Sequence, residues 1–289
     1  LGGSVTITTN NTTNDGNVSF SSTINGAQTL TIDAGTGTVT LSGATGGTTA
    51  LTSITVTGST ISLKAVTTTA SQSYTGTTTL NGNLSSTTAG SITVTGATTL
   101  ATGAIQVSTN GALDTDDITF TSTINGAQAL TLNSGSLGDI SISGAIGGTT
   151  PLSSLTVSGG DALTVAAIST NGGVITLSNT GSTTLNGNLT TDNAGTGTSA
   201  GAISVTGAVT LGSDITVDTD ASTTDANVTF SSTINGQKSL TITAGTGTAA
   251  LNGAIGGVTP ITSLAVTANA ITLGGNVTTR DVASNTVTL

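Results

Sequence analysis

The stretch Phe20–Ile32 reads FSSTINGAQTLTI, and it decides the fold because it returns. From Phe120 the chain reads FTSTINGAQALTL and from Phe230 FSSTINGQKSLTI. A second block travels with it: GATGGTTALTSITV from Gly43, GAIGGTTPLSSLTV from Gly144 and GAIGGVTPITSLAV from Gly253, while TTLNGNL ends at Leu84 and again at Leu189. A sustained long period, here about 100–110 residues, is the signature of a repeat architecture. It divides the chain into long units of approximately 1–100, 101–210 and 211–289, the last incomplete.

Inside each unit runs a finer rhythm of apolar, hydroxyl, apolar triplets: Val5-Thr6-Ile7, Leu30-Thr31-Ile32, Ile54-Thr55-Val56, Leu130-Thr131-Leu132 and Leu155-Thr156-Val157. A second series, such as Val18-Ser19-Phe20, Val39-Thr40-Leu41 and Ile61-Ser62-Leu63, sits between them. Alternate side chains of a strand face opposite sides, so Val5 and Ile7 point in together while Thr6 and Thr8 point out. Two interleaved series sharing one period predict coils of about 21–25 residues, each with at least two strands and with Gly, Asn and Asp at the corners. The expected fold is all-β: a right-handed parallel β-helix, or β-solenoid. At the strand spacing of about 4.8 Å, a dozen coils would make a single elongated rod about 55–60 Å long. The main rival is a β-sandwich, which also uses many short strands; it fits less well because here the same triplets recur at a coil period. The predicted interior includes Ile32, Val56, Leu132, Val157 and Ile242.

Composition agrees and excludes much else. The 289 residues include 3 Lys or Arg, no His, no Cys, and 13 acids, every one of them Asp. The surface helix formers are nearly missing, whereas Thr, Val, Ile, Ser, Asn and Gly supply strand and turn chemistry. Without His or Cys there is no imidazole base, no thiol nucleophile and no ligand set for structural zinc or haem. A net charge of −10, with only Lys64, Lys238 and Arg280 positive, argues against nucleic acid and anionic membrane surfaces as partners. No run approaches the roughly 20 apolar residues of a membrane helix. We expect no enzyme.

Three groups of residues stand out. The Asn-Gly pairs Asn25-Gly26, Asn125-Gly126, Asn235-Gly236, Asn81-Gly82 and Asn186-Gly187 read as sharp corners, because both residue types tolerate a left-handed backbone. Phe20, Phe120 and Phe230 read as inward plugs at a wide corner of equivalent coils, leaving Tyr74 as the exposed aromatic. Before each Phe block lies a turn rich in Asp and Asn: Asn10, Asn14 and Asp15; Asn110, Asp114, Asp116 and Asp117; Asp218, Asp220 and Asp225. Calcium takes six to eight oxygen ligands, so Asp114, Asp116, Asp117, Asp218, Asp220 and Asp225 are the candidate calcium ligands. Neither an EF-hand loop nor the calcium-binding β-roll nonapeptide is present, and solvated turn residues are the plainer reading. Clustered acids also serve glycoside hydrolysis, but here they lack aromatic platforms and basic neighbours. Outward Thr pairs, as at Thr6 and Thr8, Thr55 and Thr57 or Thr241 and Thr243, bring ice binding into view as a lesser alternative. The pairs lapse at Ser141-Ile142-Ser143 and Leu264-Ala265-Val266. The sequons at Asn83 and Asn188 arise readily in so Thr-rich a chain.

The STING, GAIGG and TTLNGNL blocks, with this composition, resemble the β-strand-repeat regions of very large bacterial surface proteins, including filamentous haemagglutinin-like adhesins. The resemblance covers essentially the whole chain. It implies export, display at the bacterial surface as a β-helical stalk or fibre, and no site residues, since stalk motifs are structural. The expectation that follows is a non-enzymatic extracellular shaft without polar terminal caps, stacked end to end or embedded among neighbouring repeats of a longer array. The alternatives are a binding module for glycans or a host or neighbour cell surface, and a calcium-dependent surface lattice.

Overall fold

A computed structural model describes residues 1–11, 14–109, 113–192, 197–280 and 286–289. Among the described residues there are strands and no helix, as expected of a chain short of helix-forming residues. The fold is a parallel β-solenoid. The chain divides into two compact units, Leu1–Ile142 and Ser143–Leu289.

In the first unit each coil lays down three strands, each of which joins one of three parallel columns. Column A runs through Val5, Leu30, Ile54, Gln72, Ile92, Ile118 and Ile140. Column B runs through Val18, Val39, Ile61, Thr78, Thr98 and Ile124. Column C starts with single bridges at Ile24 and Thr45 and continues through Val66, Leu84, Val107 and Leu132. The second unit repeats the plan. Column D holds Leu163, Thr183, Val209, Ile234 and Ile255. Column E holds Ile146, Ile168, Leu189, Val217, Ile242 and Val266. Column F holds Leu155, Ile175, Ile203, Val228, Ala249 and Ile271. The third column refines the expected two-strand minimum. Coil length also varies more than the triplet spacing indicated: the coil that carries Ile54 onto Gln72 is short, the one that carries Ile175 onto Ile203 is long, and the difference lies in the corners.

The interior follows the strand alternation: Ile32, Val56, Leu132, Val157 and Ile242 are all buried, and the strand Thr29–Asp33 alternates half-buried and buried. Burying a Val, Leu or Ile side chain contributes about 1.5–3 kcal/mol. Short strands gain that stabilisation only by stacking.

Two expectations are corrected here. The phenylalanines are not corner plugs but the third residues of regular strands: Phe20 aligns with Leu41, Phe120 with Val94 and Ile142, and Phe230 with Val205 and Leu251. Phe120 and Phe230 are fully buried; Phe20, in a strand paired on one side, is half-buried. Tyr74 is not exposed at all. It is fully buried, in register with Val56 and Val94.

Candidate functional site

The acid-bearing loops are closed by a device that recurs in every long unit. The hydroxyl of Thr9 donates to the carbonyl of Gly16, that of Thr109 to Asp116 and that of Thr219 to Ala226, the last at 2.6 Å. Thr109 ends its strand, Thr9 and Thr219 follow theirs by one residue, and each hydroxyl fastens the returning chain. In the first and third units the loop is also tied to the next coil. Asp15 accepts from the N–H of Asn11 at 2.7 Å, from the N–H of Thr36 at 2.6 Å and from its hydroxyl at 2.7 Å. Asp225 repeats the pattern with the N–H of Ala221 at 2.7 Å and with the N–H and hydroxyl of Thr246 at 2.7 and 2.8 Å. The backbone N–H of Thr36 or Thr246, assisted by the loop N–H and the hydroxyl, holds each carboxyl below its usual value. Gly35 and Gly245 are needed opposite, with φ of 54° and 50°, because a Cβ there would lie 2.4 and 2.3 Å from the carboxylate oxygens.

The middle unit differs. Asp116 is buried, accepting from Gly90 N–H at 2.6 Å and Leu113 N–H at 3.1 Å, while Asp117 accepts from Asp139 N–H at 2.9 Å. Asp114 is exposed, and Asn110 lies outside the described residues. The structure therefore does not converge Asp114, Asp116 and Asp117 on one point. Asp218, Asp220 and Asp225 do lie together, with Asp192 near: burial raises the Asp218 carboxyl first, the Asp220 N–H opposes, and the charges of Asp192, Asp220 and Asp225 raise it further. Asp218 already accepts the Asp220 N–H at 3.1 Å. Among the described residues no group of three or more acids has the geometry to hold a metal ion. Backbone N–H groups take carboxylate oxygens of Asp116, Asp117, Asp218 and Asp225.

The Asn-Gly corners separate into two kinds. Gly26, Gly126 and Gly236 adopt φ of 128°, 130° and 122°, as expected. The Asn before them acts through its side chain. Asn25 Oδ1 accepts the N–H groups of Thr48 and Thr49 at 2.9 and 3.2 Å, and Asn235 Oδ1 those of Val258 and Thr259 at 2.9 and 3.1 Å, so each fixes the Gly-Gly loop of the following coil. Gly82 and Gly187 correct the left-handed reading: their φ lies outside that region, and they are small because Ala65 and Ala167 backbone atoms stack 2.5 and 2.4 Å from where a Cβ would be. Asn83 and Asn188, the sequon residues, accept backbone N–H groups of Gln106 and Thr216 one coil on, both at 2.9 Å.

Inside the first unit lies a polar cluster that reasoning from sequence missed. Tyr74 Oη donates to Gln72 Oε1 at 2.9 Å, and Gln72 Nε2 donates to Ser85 carbonyl at 2.8 Å, Thr68 Oγ1 at 3.2 Å and Val66 carbonyl at 3.3 Å. Burial pushes the Tyr74 phenol up, which keeps it a donor. The signal was the triplet Gln72-Ser73-Tyr74, where neighbouring coils carry Ile-Thr-Val. The cluster bridges columns A and C and is sealed from solvent.

Outside, hydroxyls form files. Thr6, Thr31, Thr55, Ser73, Thr93, Thr119 and Ser141 align over seven successive rungs of column A. Ser141 thus continues the file, whereas Ala265 interrupts the one in column E.

These features together define a parallel β-solenoid of three strand columns per unit, stapled at its corners by Asn, Asp and Thr side chains. No family model matches the chain, and no curated protein or solved structure matches it either.

Proposed function

We propose that this chain is a non-enzymatic structural protein, the shaft or a subunit of an extracellular bacterial surface fibre or adhesin. The observation that carries this reading is the use of its polar side chains. Asp15, Asp225, Asn83 and Asn188, polar groups of the kind a catalytic or metal centre would present to a ligand, are instead bonded to backbone N–H groups of the next coil. A dry Val, Ile and Leu interior and parallel ladders in every column support a load-bearing role without disulfides, and three Lys or Arg residues leave few tryptic sites. Electron microscopy of 1–289 with and without calcium, combined with a glycan array, tests it. A shaft gives rods or filaments unchanged by chelator and no glycan signal; saturable glycan binding would move the function to recognition. The hydroxyl file of column A favours that second reading, a surface hydrogen-bonding to a hydroxylated partner. A thermal-hysteresis measurement separates ice from glycans as that partner.

A further inference from the structure

The long repeat is not a whole number of turns. In the first unit the VSF triplet of Val18 lies in column B, but its counterpart at Ile118 lies in column A. The STING isoleucine moves from column C at Ile24 to column B at Ile124, and the LTI leucine from column A at Leu30 to column C at Leu130. The second unit repeats the step independently. Ile146 of GAIGG lies in column E and its counterpart Ile255 in column D, while Leu155 lies in column F and Leu264 in column E. Every counterpart sits one column back. Counted along the columns, Val18 to Ile118 and Leu155 to Leu264 are each 14 strand positions, or four and two-thirds turns.

We infer that the long repeat is a turning device, which within each unit returns an equivalent segment one column, a third of a turn, away from its earlier copy. One such segment is the Gly-Gly-x-Thr loop. Its first glycine has φ of 75° at Gly46, 71° at Gly147 and 69° at Gly256, and its third residue, Thr48, Thr149 or Val258, is exposed. Asn25 and Asn235 hold it rigidly. Within the second unit the loop after Ile146 leaves column E and the loop after Ile255 leaves column D, a third of a turn apart.

The test uses the absence of cysteine. If repeats turned by whole coils, Thr119, the counterpart of Ser19, would extend the column of Ser19, Thr40, Ser62, Thr79 and Thr99. In the structure Thr99 is instead aligned with Asn125. Thr99→Cys with Asn125→Cys places two Cα atoms about 4.8 Å apart, inside the disulfide range. That pair should lose both free thiols on mild oxidation, as should Thr210→Cys with Asn235→Cys, the equivalent pair of the second unit. Thr99→Cys with Thr119→Cys should keep both. Ser73→Cys with Thr93→Cys, aligned on either scheme, is the control. Closure of the Thr99/Thr119 pair, or failure of the Thr99/Asn125 and Thr210/Asn235 pairs while the control closes, overturns the inference; failure of the control as well overturns it together with the ladder of column A. The result is independent of the shaft proposal, which microscopy and glycan binding judge.

Discussion

Two threonines on neighbouring strands of one coil should respond to the same substitution with opposite signs. Thr109 and Thr98 are both buried in the first unit. The Thr109 hydroxyl donates to the buried carbonyl of Asp116, whereas the Thr98 hydroxyl has no protein partner. Replacing Thr by Val keeps the branched shape and removes only the hydroxyl. At Thr109 this strips a donor from a buried carbonyl, which costs about 1–3 kcal/mol. At Thr98 it removes a buried polar group that gains nothing from folding, which returns about 1–3 kcal/mol on mutational scales. The central expectation is a separation of roughly 4 kcal/mol between T109V and T98V, or about 8–16 °C in Tm at about 2–4 °C per kcal/mol. Tyr74, the single tyrosine of a chain without tryptophan, is buried in the same unit and reports its melting by fluorescence. Equal shifts in the same direction would refute the claim that loop closure by an inward hydroxyl, and not β-propensity, explains buried Thr at strand ends.

Other perturbations follow from the same geometry. Tyr74→Phe leaves Gln72 Oε1 without its donor and should lower stability by about 1–3 kcal/mol, while Tyr74→Phe with Gln72→Leu should recover most of the loss; a double-mutant cycle in urea reads the coupling. Asp225 has a lowered carboxyl, so its stabilisation is full above the unfolded pKa near 4 and disappears as pH falls through the still lower folded value; Asp225→Asn should lower Tm at pH 7 and flatten its acid dependence. Asp218 has a raised carboxyl and the opposite sign: its penalty is full above the folded pKa and is relieved as pH falls towards the unfolded value, so Asp218→Asn should raise Tm at pH 7. Gly256→Ala should destabilise more than Gly103→Ala, because both have positive φ but only Gly256 faces a carbonyl, Thr278 O, 2.1 Å from the added Cβ; thermal melts compare them directly. Leu132→Asp buries an unpaired charge and should cost several kcal/mol, read as new protease cleavage within that coil.

The coil pattern was legible because inward and outward positions alternate in the chain itself, as Leu30-Thr31-Ile32 and Leu130-Thr131-Leu132 display. What was not legible needed register. Tyr74 read as exposed since no apolar neighbour marks it out, and only its alignment with Val56 and Val94 turns it inward. The acid loops showed their composition but not their partners, because Asp225 and Thr246 are far apart in the chain and meet only across a coil boundary. The number of columns was hidden for a related reason. Coils as unequal as those from Ile54 to Gln72 and from Ile175 to Ile203 drift against any fixed count, so the intervals from Phe20 to Phe120 and from Phe120 to Phe230 read as whole turns of even length and conceal the two-thirds turn.

The turning repeat also bears on why the composition is so narrow. Ladder neighbours stay equivalent and apolar through the turn: Phe20 lies beside Leu41, Phe120 between Val94 and Ile142, and Phe230 between their counterparts Val205 and Leu251. Side chains that fit all three settings are generic ones, branched aliphatics facing in and small hydroxyl residues facing out. Repeated features accordingly act within the ladder, as caps and staples at the corners, and the specialised polar cluster of Gln72 with Tyr74 lies inside. A binder working through one flat face would need the opposite, a specialised outward residue recurring in the same column at every rung. Column A keeps a generic hydroxyl at seven successive rungs, but column E breaks its file at Ala265, and the Gly-Gly loop leaves column E after Ile146 but column D after Ile255. A shaft tolerates both departures, because its strength resides in the ladder and the dry interior, which the one-column step leaves intact.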